Sequence, residues 1–277
     1  PSTDTMTTPA NADVVLVVDN SGSMETKVGE PCETPKGSFV PIGLQTGLRV
    51  KCPNCGAKYW SRHAPDFCTG QKGKTPRIEA AKAVSEEFAK SILSSNGNQI
   101  AIIGFSHDND NGGVDQGAIK VSQPLTNVET DVKTAINKME ADGGTNYTAA
   151  LDKAYTYLKS RSDQTRPGYV IFISDGAPGY SGKSQNDPDW NGSNQAANIK
   201  SAGYTLYTVG IALDDSVAGY LMGLASDKQD EHFINVKGAD YAAQLNNTLK
   251  EWADKIKETP TTKPAGTGAV MTDVINT

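Results

Sequence analysis

The chain has 277 residues and a net charge of −6, from 26 basic and 32 acidic residues. Apolar residues make up 37%, with 27 Gly and 14 Pro, which suits one loop-rich domain or two small ones. No apolar run nears the roughly 18 residues of a membrane span, no leader pattern opens the chain, and the acidic balance argues against nucleic acid as partner.

The first element is Asp13–Asp19, Asp-Val-Val-Leu-Val-Val-Asp. Such a continuous run suits a strand buried on both faces of a parallel sheet. An anomaly follows. From Lys27 to Arg77 there are nine basic and three acidic residues, a local charge of +6 that leaves −12 for the rest. All four cysteines, Cys32, Cys52, Cys55 and Cys68, fall in the same stretch. Residues 27–74 therefore read as a basic arm inserted into an acidic domain that spans residues 11–257.

The domain resumes with a helix, marked by Ile78, Ala81, Val84, Phe88 and Ile92 at spacings of three and four. Thr75 is its expected N-cap, and Pro76 suits the first helical position. Gln99–Ser106 and Ala118–Gln123 are strands joined by a loop too short for a helix, so they should pair as an antiparallel hairpin at a sheet edge. Val128, Val132, Ile136 and Met139 mark a second helix. Leu151, Ala154, Tyr155 and Leu158 mark a third. Gly168–Asp175 and Tyr204–Ile211 are further strands, separated by a Gly/Pro/Asp-rich loop over residues 176–192. A helix through Val217, Tyr220, Leu221 and Leu224, a weaker strand at His232–Val236 and a helix through Tyr241, Leu245, Leu249, Trp252 and Ile256 complete the domain. Residues 258–268 read as a linker, and residues 269–277 as the start of a further β module. The chain is thus expected to be a piece of something longer. Alternating buried strands and amphipathic helices specify a doubly wound α/β fold with a mostly parallel sheet and helices on both faces.

The first strand ends in Asp19-Asn20-Ser21-Gly22-Ser23-Met24, a D-x-S-x-S pattern. One carboxylate and two hydroxyls at alternate positions can converge on a hard cation, and three oxygen donors with retained waters suit Mg²⁺ better than a fully caged Ca²⁺. Gly143-Gly144-Thr145-Asn146 adds a hydroxyl on a tight turn. Ser174-Asp175-Gly176 adds a second carboxylate at a strand end. The competing explanation is a Ser-rich turn capped by Asp19. An EF-hand does not fit, because Met24 stands where that loop needs Gly.

These motifs resemble the metal-ion-dependent adhesion site of the von Willebrand factor A domain family, and the likeness covers nearly all of residues 13–257 apart from the arm. The resemblance implies a six-stranded sheet of order 3-2-1-4-5-6 with strand 3 antiparallel. It implies Asp19, Ser21, Ser23, Thr145 and Asp175 as ligands of one Mg²⁺, or of Mn²⁺ or Ca²⁺ in its place. It also implies an open coordination position that takes a Glu or Asp carboxylate from a protein partner. The arm and the downstream β-type linker are similar to those of tip adhesins of Gram-positive pili and wall-anchored surface proteins. That likeness implies an extracellular, cell-surface location, host matrix or cell-surface partners, and a pilus backbone subunit as neighbour in the full-length protein. The alternative is an intracellular A domain serving a metal-chelatase-like or stress-response complex.

Within the arm, Cys52-Pro53-Asn54-Cys55-Gly56 is a knuckle whose two thiolates can share one Zn²⁺. Cys32 and Cys68 can complete four ligands, with His63 as a substitute. A pair of disulfides is the rival, in any of three connectivities. Either staple answers the same need, since an arm of this size carries little apolar content. Tyr180 and Trp190 are candidate ligand contacts at the rim, set against ordinary loop packing. His107 with Asp108 and Asp110 is a candidate second cation site, set against a solvated hairpin tip. Only His63, His107 and His232 are present, none in H-E-x-x-H, and no phosphate-binding glycine motif or G-x-S-x-G elbow occurs. No enzymatic activity is expected.

Overall fold

The computed structural model describes residues 11–27, 30–42, 49–72, 75–95, 97–109, 111–180, 182 and 184–258. Its frame is a six-stranded sheet of β1 (Asp13–Asp19), β2 (Gln99–Phe105), β3 (Ile119–Thr126), β4 (Gly168–Ser174), β5 (Thr205–Ile211) and β6 (Phe233–Val236). The spatial order is β3-β2-β1-β4-β5-β6. All neighbours are parallel except β2 and β3. The loop between those two is too short for a crossover, so the hairpin reading holds.

β1 is buried at all seven positions, as its continuous apolar run requires. Val14, Leu16 and Val18 face one layer of helices: α1 (Arg77–Leu93), α2 (Glu129–Asn137) and a long C-terminal helix (Tyr241–Glu258). Val15 and Val17 face the other layer: α3 (Tyr147–Lys159), α4 (Ser193–Ser201) and α5 (Asp215–Leu224). The period-two alternation of a strand thus divides one sequence run between two cores. Truncating Leu16 to Ala would cost about 2–5 kcal/mol, a sizeable share of a domain's total stability.

Differences from expectation are local. Pro76, with extended backbone, caps α1 instead of Thr75, so the helix starts one residue later. α4 lies where no helix was expected, because Ala196 and Ile199 are its only buried side chains. The expected linker and the tail at residues 269–277 lie outside the described residues, save that Glu258 ends the C-terminal helix.

The arm leaves after Thr26 and returns at Pro76, where Lys27 and Pro76 form a β-bridge and the Arg77 N–H donates to the Thr26 carbonyl at 3.0 Å. Its described residues include an antiparallel pair, Glu30–Pro31 with Gln71–Lys72, and a three-stranded sheet of Val40–Pro41, Arg49–Lys51 and Lys58–Trp60. Both ends of the arm therefore sit where β1 hands over to α1, beside the D-x-S-x-S loop.

Candidate functional site

β1 and β4 are adjacent, and their carboxyl ends open at the point where the strand order changes direction, the usual ligand crevice of open α/β sheets. Asp19 closes β1 and is fully buried. Its Oδ1 accepts the Ser21 backbone N–H at 2.7 Å, which folds the loop back over the strand end. Its Oδ2 accepts the Ser174 hydroxyl at 2.6 Å. Ser21 Oγ and Ser23 Oγ are 3.0 Å apart, and Ser23 donates to Asp175 Oδ1 at 2.6 Å. Asp19, Ser21, Ser23 and Asp175 thus form one oxygen cluster across two strand ends.

Thr145 comes on a third loop that is laced to the first. The Gly22 N–H donates to Gly143 O at 2.9 Å, and the Asp142 N–H donates to Asn20 O at 2.8 Å. Thr145 exchanges both backbone hydrogen bonds with Gly179, at 3.0 and 2.8 Å. The turn needs its glycines. Gly143 has φ +78°, and a Cβ there would lie 2.5 Å from His107 O; at Gly144 it would lie 2.6 Å from Tyr180 Cδ2. The five residues singled out in the sequence therefore all come to one end of the sheet. Ser23 is exposed and the other four are buried, so the cluster opens to solvent on the Ser23 side.

The electrostatics favour a cation. Burial raises the Asp19 carboxyl to about 7, the charge of Asp175 adds to the rise, and hydrogen bonds from Ser174 and Ser21 oppose it. Two carboxylates with three hydroxyls form a hard-oxygen donor set whose charge one divalent ion would satisfy. The residues present fit such an ion.

Three contributors were not singled out as site residues in the sequence. Arg77, the first residue of α1, is largely buried and pairs with Asp175 through Nη1–Oδ2 at 2.7 Å. Its Nε is buried without a partner. Ser174 was visible beside Asp175, and strand alternation would have sent its side chain to the Asp19 side. The Tyr147 hydroxyl lies 3.0 Å from Ser174 Oγ and 2.5 Å from Gly176 O, its one proton shared between them, and so braces the exit of β4.

Trp190 is 1% exposed and does not offer a ring to the rim. It stacks on half-buried Tyr180 with centroids 6.3 Å apart and meets His107 edge-on at 4.7 Å. His107 is itself fully buried, so the solvated-tip reading fails for it. It also lies within this aromatic packing, and Asp108 pairs with Lys120, so neither is set up for a cation. Asp110 lies outside the described residues.

In the arm, Cys32, Cys52, Cys55 and Cys68 converge with all four sulfurs within 4.8 Å of one another, and all are buried thiols. His63 is not in that group. Burial raises the Cys55 and Cys68 thiols. At Cys52 burial acts in the same direction, but hydrogen bonds from the Thr34 hydroxyl and the Cys55 and Asn54 N–H groups outweigh it and bring the thiol down to about 6.

The pattern of the von Willebrand factor type A domain matches residues 72–248, more than half the chain. It contains Thr145 and Asp175; Asp19, Ser21 and Ser23 precede it, separated by the arm. No curated protein matches. Among solved structures, the vWF domain of the type V pili tip protein Mfa5 from Porphyromonas gingivalis superposes with a TM-score of 0.55 at 14% identity, covering 90% of this chain and 97% of that one. The pilus adhesin SpaC from Lactobacillus rhamnosus GG gives 0.56 at 17%, covering 88% of this chain and 30% of SpaC. The SpRpn10 VWA domain gives 0.53 at 11%, covering 87% and 94%. At these identities the likeness is one of fold.

Proposed function

The chain belongs to the von Willebrand factor type A domain family, and we propose that it is a metal-dependent adhesion module. In this reading Asp19, Ser21, Ser23, Thr145 and Asp175 hold one Mg²⁺, replaceable by Mn²⁺ or Ca²⁺, and the ion supplies a Lewis-acid position for a Glu or Asp carboxylate of a protein partner. The observation that carries it is the continuous oxygen cluster from Asp19 through Ser21 and Ser23 to Asp175.

The chain's own residues do the rest. Ser174 and the Ser21 N–H hold the Asp19 carboxylate by both oxygens. Ser23 ties the first loop to Asp175. The Gly143-Gly144 turn brings Thr145 in from the side. A carboxylate arriving at such a site gains more than it would in a surface ion pair, worth roughly 0–1 kcal/mol. The arm, which leaves and returns beside the D-x-S-x-S loop, is basic and carries exposed apolar side chains. Val40, Trp60 and Phe67 are exposed on it, and the Arg49 guanidinium lies 4.5 Å from the Trp60 ring centroid. This surface suits an acidic protein partner.

The fold likeness to pilus tip and adhesin domains supports placing the protein at a cell surface, on a pilus tip or anchored to the wall, with host matrix or cell-surface proteins as ligands. The alternative, an intracellular subunit of a larger complex, draws on the four reduced cysteines, which suit a reducing compartment. No catalytic role is assigned. A binding screen against matrix proteins with Mg²⁺ or chelator tests the reading. Capture should need the metal and vanish in Asp19→Ala. Capture that survives both treatments overturns it.

A further inference from the structure

The four arm cysteines follow the D-x-S-x-S loop in sequence and are chemically unlike the Asp19 cluster. Their sulfurs come from three chain segments: Cys32 on the outgoing limb, Cys52 and Cys55 on the turn between two strands, and Cys68 on the returning limb. Cys32 and Cys52 are 3.6 Å apart, Cys55 and Cys68 are 3.3 Å apart, and no pair exceeds 4.8 Å. A tetrahedral zinc site with Zn–S bonds of about 2.3 Å has sulfurs about 3.8 Å apart. The observed spread brackets that value for all pairs together. Two disulfides would instead draw the sulfurs into two bonded couples at about 2.05 Å, with no reason for the couples to converge.

Backbone N–H groups point at three of the four sulfurs. The Asn54 and Cys55 N–H groups donate to Cys52 Sγ, the Ala57 N–H donates to Cys55 Sγ, and the Gly70 N–H donates to Cys68 Sγ at 3.4 Å. Such outer hydrogen bonds orient and charge-balance thiolate ligands. Gly70 leaves room for the sulfurs. A Cβ there would fall 2.7 Å from Cys55 Sγ and 3.3 Å from Cys68 Sγ. Gly56 turns the knuckle with φ +84°. Among the described residues, the cluster contains beyond the sulfurs only Ala57 as a buried apolar residue, with Phe39 and Tyr59 partly buried against it. So little apolar burial does not fix about 50 residues.

We propose that Cys32, Cys52, Cys55 and Cys68 bind one structural Zn²⁺ as a tetrathiolate, distinct from any cation at Asp19, and that this ion clamps the two limbs of the arm beside the adhesion face. The limbs already meet there: the Cys32 N–H donates to Gly70 O and the Cys68 N–H to Thr34 O, each at 2.8 Å. The knuckle strand is tied to the D-x-S-x-S loop through the Lys58–Glu25 ion pair. Loading Zn²⁺ releases the thiol protons and leaves a local charge of −2, which the basic excess of the arm offsets. Zinc would therefore fix the paired strands that carry Arg49 and Trp60 relative to the loop that holds Glu25.

Elemental analysis of protein purified without reductant or chelator tests this directly. The expected result is one zinc per chain, released by a mercurial thiol reagent, with four titratable thiols after denaturation in chelator. Co²⁺ exchanged for the zinc should show sulfur-to-cobalt charge-transfer and tetrahedral d–d bands. Asp19→Ala should keep both the zinc and those bands, which separates this site from the adhesion cation. Cys52→Ser with Cys55→Ser should lose the zinc. If that variant misfolds, Gly70→Ala serves in its place, with faster zinc loss to chelator expected. Protein free of zinc with no titratable thiols overturns the proposal in favour of disulfides. Zinc that leaves with Asp19→Ala overturns it as well.

Discussion

The Arg77 guanidinium lies against the Asp175 carboxylate, Nη1 2.7 Å from Oδ2, at the first residue after the arm returns. One positive charge thus sits beside the two carboxylates proposed to hold a cation. Even with solvent-like screening, at a dielectric of about 80, such a charge about 5 Å from a divalent ion opposes binding by about 1–2 kcal/mol. Arg77→Gln should therefore bind Mn²⁺ about five- to thirtyfold more tightly by calorimetry, and its metal-free form should unfold at lower temperature. Weaker binding would mean instead that the guanidinium orients Asp175 for the metal.

Asp19 gives the site a pH signature. Its folded value of about 7 lies above the ordinary 3.8, through burial first and the Asp175 charge second. The metal-free fold therefore holds a proton that the unfolded chain releases. That contribution to stability is full below about pH 4 and is lost as pH rises through 7. Metal binding must displace the same proton, so apparent affinity should climb by up to tenfold per pH unit and level off above 7. Thermal midpoints in chelator and Mn²⁺ isotherms from pH 5 to 8 measure both slopes. Asp19→Asn should abolish them. A flat isotherm series in the parent protein would refute the assignment.

How much of this was legible in the sequence depended on range. The buried runs Asp13–Asp19 and Gly168–Ser174 announced central strands because burial on both faces leaves no alternation to misread. The five oxygen-bearing residues were legible because each stood in a short motif at a strand end or turn. α4 was not, because Ser, Asn, Gln and Lys dominate it; the parallel connection from β4 to β5 demanded a crossover element that periodicity alone did not reveal. Arg77 was hidden for another reason. Its partner is 98 residues away, and the arm disguises the fact that α1 begins at the D-x-S-x-S loop. Trp190 was open between a rim contact and loop packing, and Tyr180 and His107 give it a place to bury. The cysteines left zinc and disulfides open, since composition does not show whether four sulfurs meet.

The Gly143-Gly144 turn makes the Thr145 contribution separable from overall folding. Gly143→Ala puts a methyl group 2.5 Å from the His107 carbonyl on a backbone at φ +78°. The turn must shift and carry Thr145 with it. The hydrogen bond from Gly22 to Gly143, at 2.9 Å, transmits the shift to the first loop. Mn²⁺ affinity should fall at least about tenfold, while the thermal midpoint drops only by the few degrees that about 1–2 kcal/mol of local strain produces in a domain of this size. Unchanged affinity would remove Thr145 from the ligand set.

The opposite end of β1 provides a control that separates stability from function. Asp13 is 1% exposed and is held by Arg161 at 2.8 Å and Arg166 at 2.7 Å. Arg161 belongs to the turn after α3 and Arg166 to the approach to β4, so the cluster pins both to the start of the central strand. Asp13→Ala would leave a nearly buried guanidinium uncompensated, and breaking a buried pair this way costs about 3–5 kcal/mol. The expected result is a large drop in unfolding midpoint in denaturant. Mn²⁺ affinity should stay within about twofold of the parent, because the seven residues of β1 separate Asp13 from the Asp19 cluster. A matched loss of metal affinity under folded conditions would show that the two ends of the strand are coupled, and the site would then have to be treated as dependent on the whole β1–β4 pair.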